Sequence, residues 1–363
     1  MKKRITSILL SAAMVLSLAA CGGDKGSQET PAPAPENSTQ EAPQEAEDKP
    51  APSGETYNWS FSTTYASGSV VVQMYERFAE LANEYTDGAI TISVFPDGTI
   101  ASEDDALAQV SSGELEFCGT GTAPIFTYSP EDGWFNSPFM ITDLETYKKV
   151  YDSDYWMAIR EGWAKDHNVL DLCGPFYRGM RTLTTSKEVK NVSDLKGVKL
   201  RMNSSALWNA AWQACGATTV PIALSELYTS FQTGVVDATE IPLADSGLLN
   251  IPEVASYVVQ TNHVCECAGI FMSNQLFESL PAEYQEAVRK AGQDAMAECE
   301  SLIAEEEATW LQKYKDAGAT VVEDVDIASF REASDAWWQK MFSTEWSNIS
   351  YEDCMALIES CSK

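Results

Sequence analysis

The chain has 363 residues, an apolar fraction of 44% and a formal net charge of −30. That length corresponds to roughly two domains of about 150 residues, with enough apolar content for packed cores. The acidity argues against nucleic acid, whose phosphates demand clustered Lys and Arg, and against a polybasic contact with a membrane surface.

The N-terminus, MKKRITSILLSAAMVLSLAAC, sets Lys2, Lys3 and Arg4 before an apolar run that gives way to small residues and Cys21. This is the layout of a secretory signal peptide over residues 1–20, and its apolar run is short of the ~20 residues of a comfortable membrane span. Leu18-Ala19-Ala20-Cys21 resembles the bacterial lipobox, which implies that Cys21 carries lipid and begins the mature protein. A plain signal peptide or an uncleaved anchor is the alternative. Two or more acyl chains hold a protein on a membrane, so the expected location is extracytoplasmic. The anchor would sit at the outer face of the cell membrane, in the periplasm of a Gram-negative cell. Residues 21–56 then comprise the lipidated cysteine and an acidic linker rich in Pro, Glu, Gln and Ser. Such a segment buries too little apolar surface to order itself.

The folded part opens with YNWSFSTTY, an alternating β pattern ending at Tyr65. SVVVQMYERFAELANEYTDG reads as an amphipathic helix stopped at Gly88, AITISVFPDG as a strand and turn, and ASEDDALAQVSSGELEF as a helix and strand. The order β-α-β-α-β predicts an open α/β sheet. A loop and a helix follow through Val169, then the strand-like VLDLCGPFYRGMRTLTT. In the second half, GVKLRM reads as a strand, SSALWNAAWQACGA as a helix capped by Ser204 or Ser205, and TTVPIA as extended. SELYTSFQTG is a short helix capped by Ser225, VVDATEI is a strand, and Pro281 to about Ala317 is one helix. At about 1.5 Å per residue that last helix spans roughly 55 Å, longer than one small domain, so it is expected to bridge two. The expected lobes are 57–178 with about 265–305, and 179–264 with about 306–363. A two-lobed α/β binding-protein-like fold puts a cleft between them, where open sheets and domain interfaces take ligands.

Eight cysteines follow Cys21. Their spacing builds no small disulfide scaffold, and Cys265-Glu266-Cys267 lacks a second thiol or imidazole pair, so they read as small buried hydrophobes without a zinc site. A Cys354–Cys361 pair is left open.

In GVKLRM, Val198, Leu200 and Met202 share one strand face, Lys199 and Arg201 the other. Alternation alone does not decide between a solvated face and a cleft. From Arg181 to Pro242, however, the chain resembles the solute receptors of tripartite ATP-independent periplasmic (TRAP) transporters, the DctP family. The resemblance rests on Arg181, the DLKGVKLR of residues 194–201, Gly216-Ala217, Pro221, the SELY of 225–228 and the QTGVVD of 232–237. Weaker similarity extends over nearly all of 57–320, including Thr261-Asn262-His263 and Leu280-Pro281. It implies a two-lobed receptor that closes on an organic acid, with Arg201 in a bidentate bridge to the solute carboxylate and Arg181 as a second contact. A planar guanidinium fork fits a carboxylate as an ammonium cannot. In a closed, dry cleft Arg201 stays an uncompensated cation until the anion arrives, so solute favours closure.

Where the family has Glu-Asn-Pro this chain has Glu240-Ile241-Pro242. Ile241 removes an amide and points to a more apolar or smaller acid than a hydroxyl-rich, sialic-acid-like one. Asn203 is a candidate substitute. Glu240, Tyr65, Thr120, Thr122 and Trp208 are further candidate contacts; Trp134, Phe135, Phe139 and Trp212 could stack on a ring-shaped solute but read more readily as core, and His263 reads as structural. The resemblance calls for no cofactor and no catalytic residue, and for a monomer that delivers solute to TRAP membrane permease subunits on an ion gradient. Two other readings remain. A secreted enzyme acting on an organic acid would need a nucleophile, acid–base pair or metal, and neither HExxH nor G-x-S-x-G occurs. A receptor feeding a sensor kinase would share the fold and the site.

Overall fold

The computed structural model describes residues 54–121, 124–203 and 205–362. The signal-like segment, Cys21, most of the linker, Ser204 and Thr122 lie outside the described residues. Elements follow in the order β1 (Tyr57–Thr63), α1 (Val70–Tyr85), β2 (Ile90–Phe95), α2 (Glu103–Ser112), β3 (Phe117–Gly121), α3 (Leu144–Tyr151), α4 (Asp154–His167) and β4 (Val169–Thr185). Then come β5 (Lys199–Met202), α5 (Ala206–Ala214), β6 (Thr218–Pro221), α6 (Leu227–Gln232), β7 (Ala238–Pro242), α7 (Leu243–Leu248), β8 (Tyr257–Ser273) and α8 (Asn274–Ser279). The chain closes with α9 (Ala282–Asp316), β9 (Thr320–Val322), α10 (Ile327–Thr344) and α11 (Tyr351–Cys361).

All strands join one mixed sheet in the order β2-β1-β3-β8-β4-β7-β5-β6, with β9 on β8. Its spine is the antiparallel pair of 17-residue strands β4 and β8. β3 pairs with the last part of β8, Ala268 to Met272, and β1 and β2 continue from there in parallel. β7 pairs with the last part of β4, Arg181 to Thr185, and β9 with the start of β8. Besides each other, β8 thus serves β9 with its first part and β3 with its last, whereas β4 serves β7 with its last part. The sequence shows β4 as strand-like, whereas β8 is hidden: YVVQTNHVCECAGIFMS carries almost no polar alternation, because both its faces are covered.

Local chemistry explains the other elements. Ser69 caps α1 through Val72 N–H, and Ser205 caps α5 through Trp208 N–H. The expected cap of α6, Ser225, makes no capping bond. It lies inside a 3₁₀ turn, Leu224–Glu226, that precedes the helix. The segment read as one helix before β4 is two, split where Ser153 ends α3 and caps α4. Helix α9 has 35 residues and packs on α1 at one end and on α7 and β9 at the other, with β4 along its length. The C-terminal helices seal one large core, in which Trp134 and Trp156 lie with Trp208, Trp212, Phe330 and Trp346. All eight described cysteines are buried and free, so Cys354 and Cys361 are not bridged.

Gly119 in β3 is the tightest point of the other core. A Cβ there would come within 2.7 Å of the Phe61 ring and closer still to Tyr75, both fully buried. Gly119→Ala is therefore expected to destabilise the fold by about 1–3 kcal/mol through overpacking. Urea unfolding measures this, and a variant of unchanged midpoint would show that the rings yield freely.

Candidate functional site

A cavity of about 600 Å³ opens at the carboxyl ends of strands from both halves of the sheet. Thr64, Tyr65 and Ala66 follow β1, Asp97 and Gly98 follow β2, and Gly121 ends β3. Opposite them, Arg201 comes from β5 and Asn203 follows it, Leu224 and Ser225 follow β6, and Ile241 comes from β7. Arg178, Arg181 and Glu266, on the β4–β8 spine, join the two walls.

Arg178 and Arg181 are three residues apart, which in a regular strand places them on opposite faces. A bulge corrects this. Tyr177 pairs with Cys267 and Met180 with Cys265, so β4 uses three steps where β8 uses two. The extra residue restores the parity of Arg178 and Arg181, and Gly179 accommodates it at φ +107°. The same alternation aims Glu266 into the site while Cys265 and Cys267 join the core behind it.

The three arginines are almost equally buried, with Arg178 7%, Arg181 6% and Arg201 4% exposed, yet their partners differ sharply. Arg181 meets Glu240 in a fork: Nε donates to Oε2 at 2.8 Å and Nη2 to Oε1 at 2.9 Å, while Nη2 also reaches the Glu240 carbonyl at 2.6 Å. Its Nη1 donates to Glu266 Oε2 at 3.0 Å, which leaves one of its five N–H groups, and its guanidinium lies 4.1 Å over the Trp208 ring. Arg178 is bonded to Asp245, lies 3.5 Å from Glu266 Oε1 and covers the Tyr65 ring at 4.0 Å. Arg201 donates Nε to the Ile222 carbonyl at 2.8 Å and takes part in no ion pair among the described residues.

Burial disfavours the charged form of all three. For Arg178 and Arg181 the surrounding carboxylates outweigh burial and raise the pKa above the ordinary arginine value. For Arg201 burial prevails. Attraction from Glu240 does not offset it, Arg181 adds repulsion, and the guanidinium is pushed down to about 10. It remains charged at neutral pH, and it is the one arginine of the three that a further anion would complete.

Glu240 does not line the cavity. It is held behind Arg181, 1% exposed, so it positions that arginine and does not meet a solute directly. It is also bonded to His263 Nε2 at 2.9 Å. Because a carboxylate only accepts, Nε2 carries the hydrogen and Nδ1 accepts from Thr261 Oγ1 at 2.8 Å. Thr120 also misses the cavity, since it is buried and bonded to Glu103. Arg201, Arg181, Asn203, Ile241, Tyr65 and Trp208 do line it. Trp134, Phe135, Phe139 and Trp212 are core.

The DLKG-to-VVD pattern mostly builds the strand that carries Arg201. The Asp194 carboxylate accepts from the backbone of Lys190 and Asn191, and Gly197 takes φ +79°. Asp237 accepts the Lys199 backbone N–H at 3.0 Å and donates its own to the Lys199 carbonyl at 2.8 Å. Sequence reasoning missed Arg178, Asp245, Glu266, Glu103 and Asp97. Arg178 was visible as the first basic residue of YRGMR, but only the bulge turns it inward.

The geometry is that of a ligand cavity at the mouth of an α/β sheet, lined by three buried arginines. The model of the bacterial extracellular solute-binding proteins, family 7 (DctP), matches residues 61–345, and the chain belongs to that family. Its relatives are solute-binding proteins rather than enzymes. A solute-binding protein of Roseobacter denitrificans is 30% identical over 71% of this chain and 78% of its own length. The 2,3-diketo-L-gulonate-binding periplasmic protein of Escherichia coli is 28% identical over the same shares. Among solved structures, a TRAP periplasmic solute-binding protein of Roseobacter denitrificans with bound β-D-glucuronate is 26% identical and superposes with a TM-score of 0.76. The match covers 84% of this chain and 98% of that one. No helix among the described residues is long and apolar enough to cross a membrane.

The Arg181–Glu240–His263 web carries a pH signature. Attraction to Arg181 and the bond from His263 outweigh burial and hold the Glu240 carboxyl at about 2, below the ordinary glutamate value of about 4.3. Its stabilisation is complete above about pH 4.3 and is lost as pH falls towards 2. Burial lowers the His263 pKa, so the folded state resists a proton that the unfolded chain takes below about pH 6.5, and stability again falls with acid. Glu240→Gln is expected to cost about 3–5 kcal/mol at pH 7, since it strands a buried arginine. It should also flatten the loss of stability between pH 4 and 2. Urea unfolding across this range measures both, and an unchanged acid slope would contradict the assignment.

Proposed function

We propose that the protein captures a small organic acid outside the cytoplasmic membrane by seating its carboxylate on Arg201, and delivers it to TRAP permease subunits for uptake on an ion gradient. The supporting observation is that, of three equally buried arginines at one cavity, Arg201 alone has no acidic partner. A carboxylate supplies two acceptors to the open fork and removes the cost of an uncompensated buried cation. The relatives named for 2,3-diketo-L-gulonate and found with glucuronate fit the same chemistry.

The rest of the cavity has two characters. Trp208, Leu224, Ile241, Leu248 and Leu249 form an apolar wall, with Ile241 taking the place of an amide. Asp97, Ser102 and Glu103 offer acceptors on the side formed by β1 to β3. The solute is then an acid with one apolar flank and hydroxyl donors on the other, and Arg181 adds its remaining N–H. The chain passes from one lobe to the other near Arg178 in β4, near Cys265 in β8 and near Glu305 in α9, and solute draws the lobes together. Lipid on Cys21 holds the receptor at the membrane, and the monomer is the working form.

A thermal-shift screen over C4-dicarboxylates, 2-oxo acids, uronates and aromatic acids identifies the solute, because a ligand of the folded state raises its melting temperature. For the acid found, Arg201→Ala is expected to weaken binding by about 2–5 kcal/mol in titration calorimetry, and Arg201→Lys by less. Unaltered affinity in Arg201→Ala, or stabilisation by neutral sugars alone, would overturn the reading. With the same acids, Ile241→Asn should shift preference towards the more hydroxylated ones. An unchanged order of affinities would remove Ile241 from the set of residues that select the solute.

A further inference from the structure

A second cavity, of about 430 Å³, lies between α9, the α3–α4 pair and the first half of β4. It shares no lining residue with the solute cavity. Like the first, it opens beside irregular pairing in β4, here the register shifts from Asp171 to Cys173 and from Cys173 to Phe176. Three cations face it: Lys148 from α3, Arg160 from α4 and Arg289 from α9. The chain has 24 Lys and Arg among 363 residues, so three around one hollow is a marked concentration in a protein of net charge −30.

Their local partners do not saturate them. Arg289 donates Nη1 to the Leu172 carbonyl at 3.2 Å and enters no ion pair among the described residues. Arg160 donates Nη2 to the Tyr151 carbonyl at 3.2 Å and lies 3.9 Å from Asp171, while its Nε is buried without a hydrogen-bond partner. Lys148 is paired with Glu300 across the mouth, which ties α3 to α9. The acid at the centre, Asp171, is 4% exposed at its side chain, takes the Tyr151 hydroxyl on one oxygen and has no partner on the other. Burial pushes the Asp171 carboxyl up, against the Tyr151 hydroxyl and the attraction of Arg160 and Arg289. Burial likewise lowers the Arg289 pKa, as it does for Arg201, and for the same reason: no carboxylate lies close enough to offset it.

We propose that this cavity is a second anion site, in which Arg160, Arg289 and Lys148 hold a small multivalent oxyanion such as a phosphate or a tricarboxylate. Several charge-assisted donors converge on one hollow of the size small ligands occupy. A multivalent anion fits better than a monocarboxylate, because the donors come from three separate helices and not from a single fork.

Titration calorimetry with inorganic phosphate and with citrate, against chloride at matched ionic strength, tests this on the mature chain. One saturable site is expected in the wild type and in Arg201→Ala. Arg160→Gln and Arg289→Gln should each weaken it by about tenfold or more, the effect of removing a charge-assisted donor pair. Arg289→Lys, which keeps the charge, should lose less. Circular dichroism and unchanged binding of the organic acid at the first cavity establish that each variant is folded. Absence of saturable binding at millimolar anion overturns the proposal. So does loss of the site in Arg201→Ala, which would place the anion in the solute cavity, or its retention in both glutamine variants.

Discussion

The structure depends on the distribution of buried carboxylates among buried arginines. Removing a guanidinium from water is costly, and a charged partner in good geometry is what offsets it. Glu240 and Glu266 satisfy Arg181, while Asp245 and Glu266 satisfy Arg178. No acid remains within reach of Arg201. In the function proposed above, that leaves Arg201 as the contact a solute anion completes.

The fold serves that distribution. Among the described residues β4 and β8 are the two strands long enough to belong to both halves of the sheet, and the bulge in β4 at Arg178-Gly179 brings two basic residues to one face. Behind them, neutral His263 steers Glu240 onto Arg181, and Trp208 stacks over the same guanidinium. These supports are themselves buried, so solute binding draws on a scaffold that is already in place. In the lobe division proposed above, β4, β8 and α9 are the segments that cross, and the site need not be rebuilt when the lobes move.

Much of the site was legible in the sequence because its determinants are local. The alternation in GVKLRM put Leu200 and Met202 in the core and Arg201 on the other face, and the resemblance of DLKGVKLR and QTGVVD to the receptor family turned that face into a cleft. The long helix after Pro281 was equally plain, since 35 residues without an interior proline or a break in helix-forming composition can hardly be anything else. Where the reading failed, the cause was tertiary. Glu240 reads as a contact but stands behind Arg181, and Thr120 bonds Glu103 in place of lining the cavity. Strand β8 escaped notice because burial on both faces erases the alternation that reveals a strand.

By itself the sequence determined the class of fold, most of its elements, and the strand face that carries Arg201, because these follow from periodicity, turn chemistry and a local motif. Only the tertiary structure decided which of three arginines is unpaired. That outcome rests on carboxylates 59 to 85 residues away from Arg181 along the chain, and on one bulge that reverses the parity of β4. Pairing between distant buried charges is a property of the assembled sheet, and no stretch of the sequence contains it.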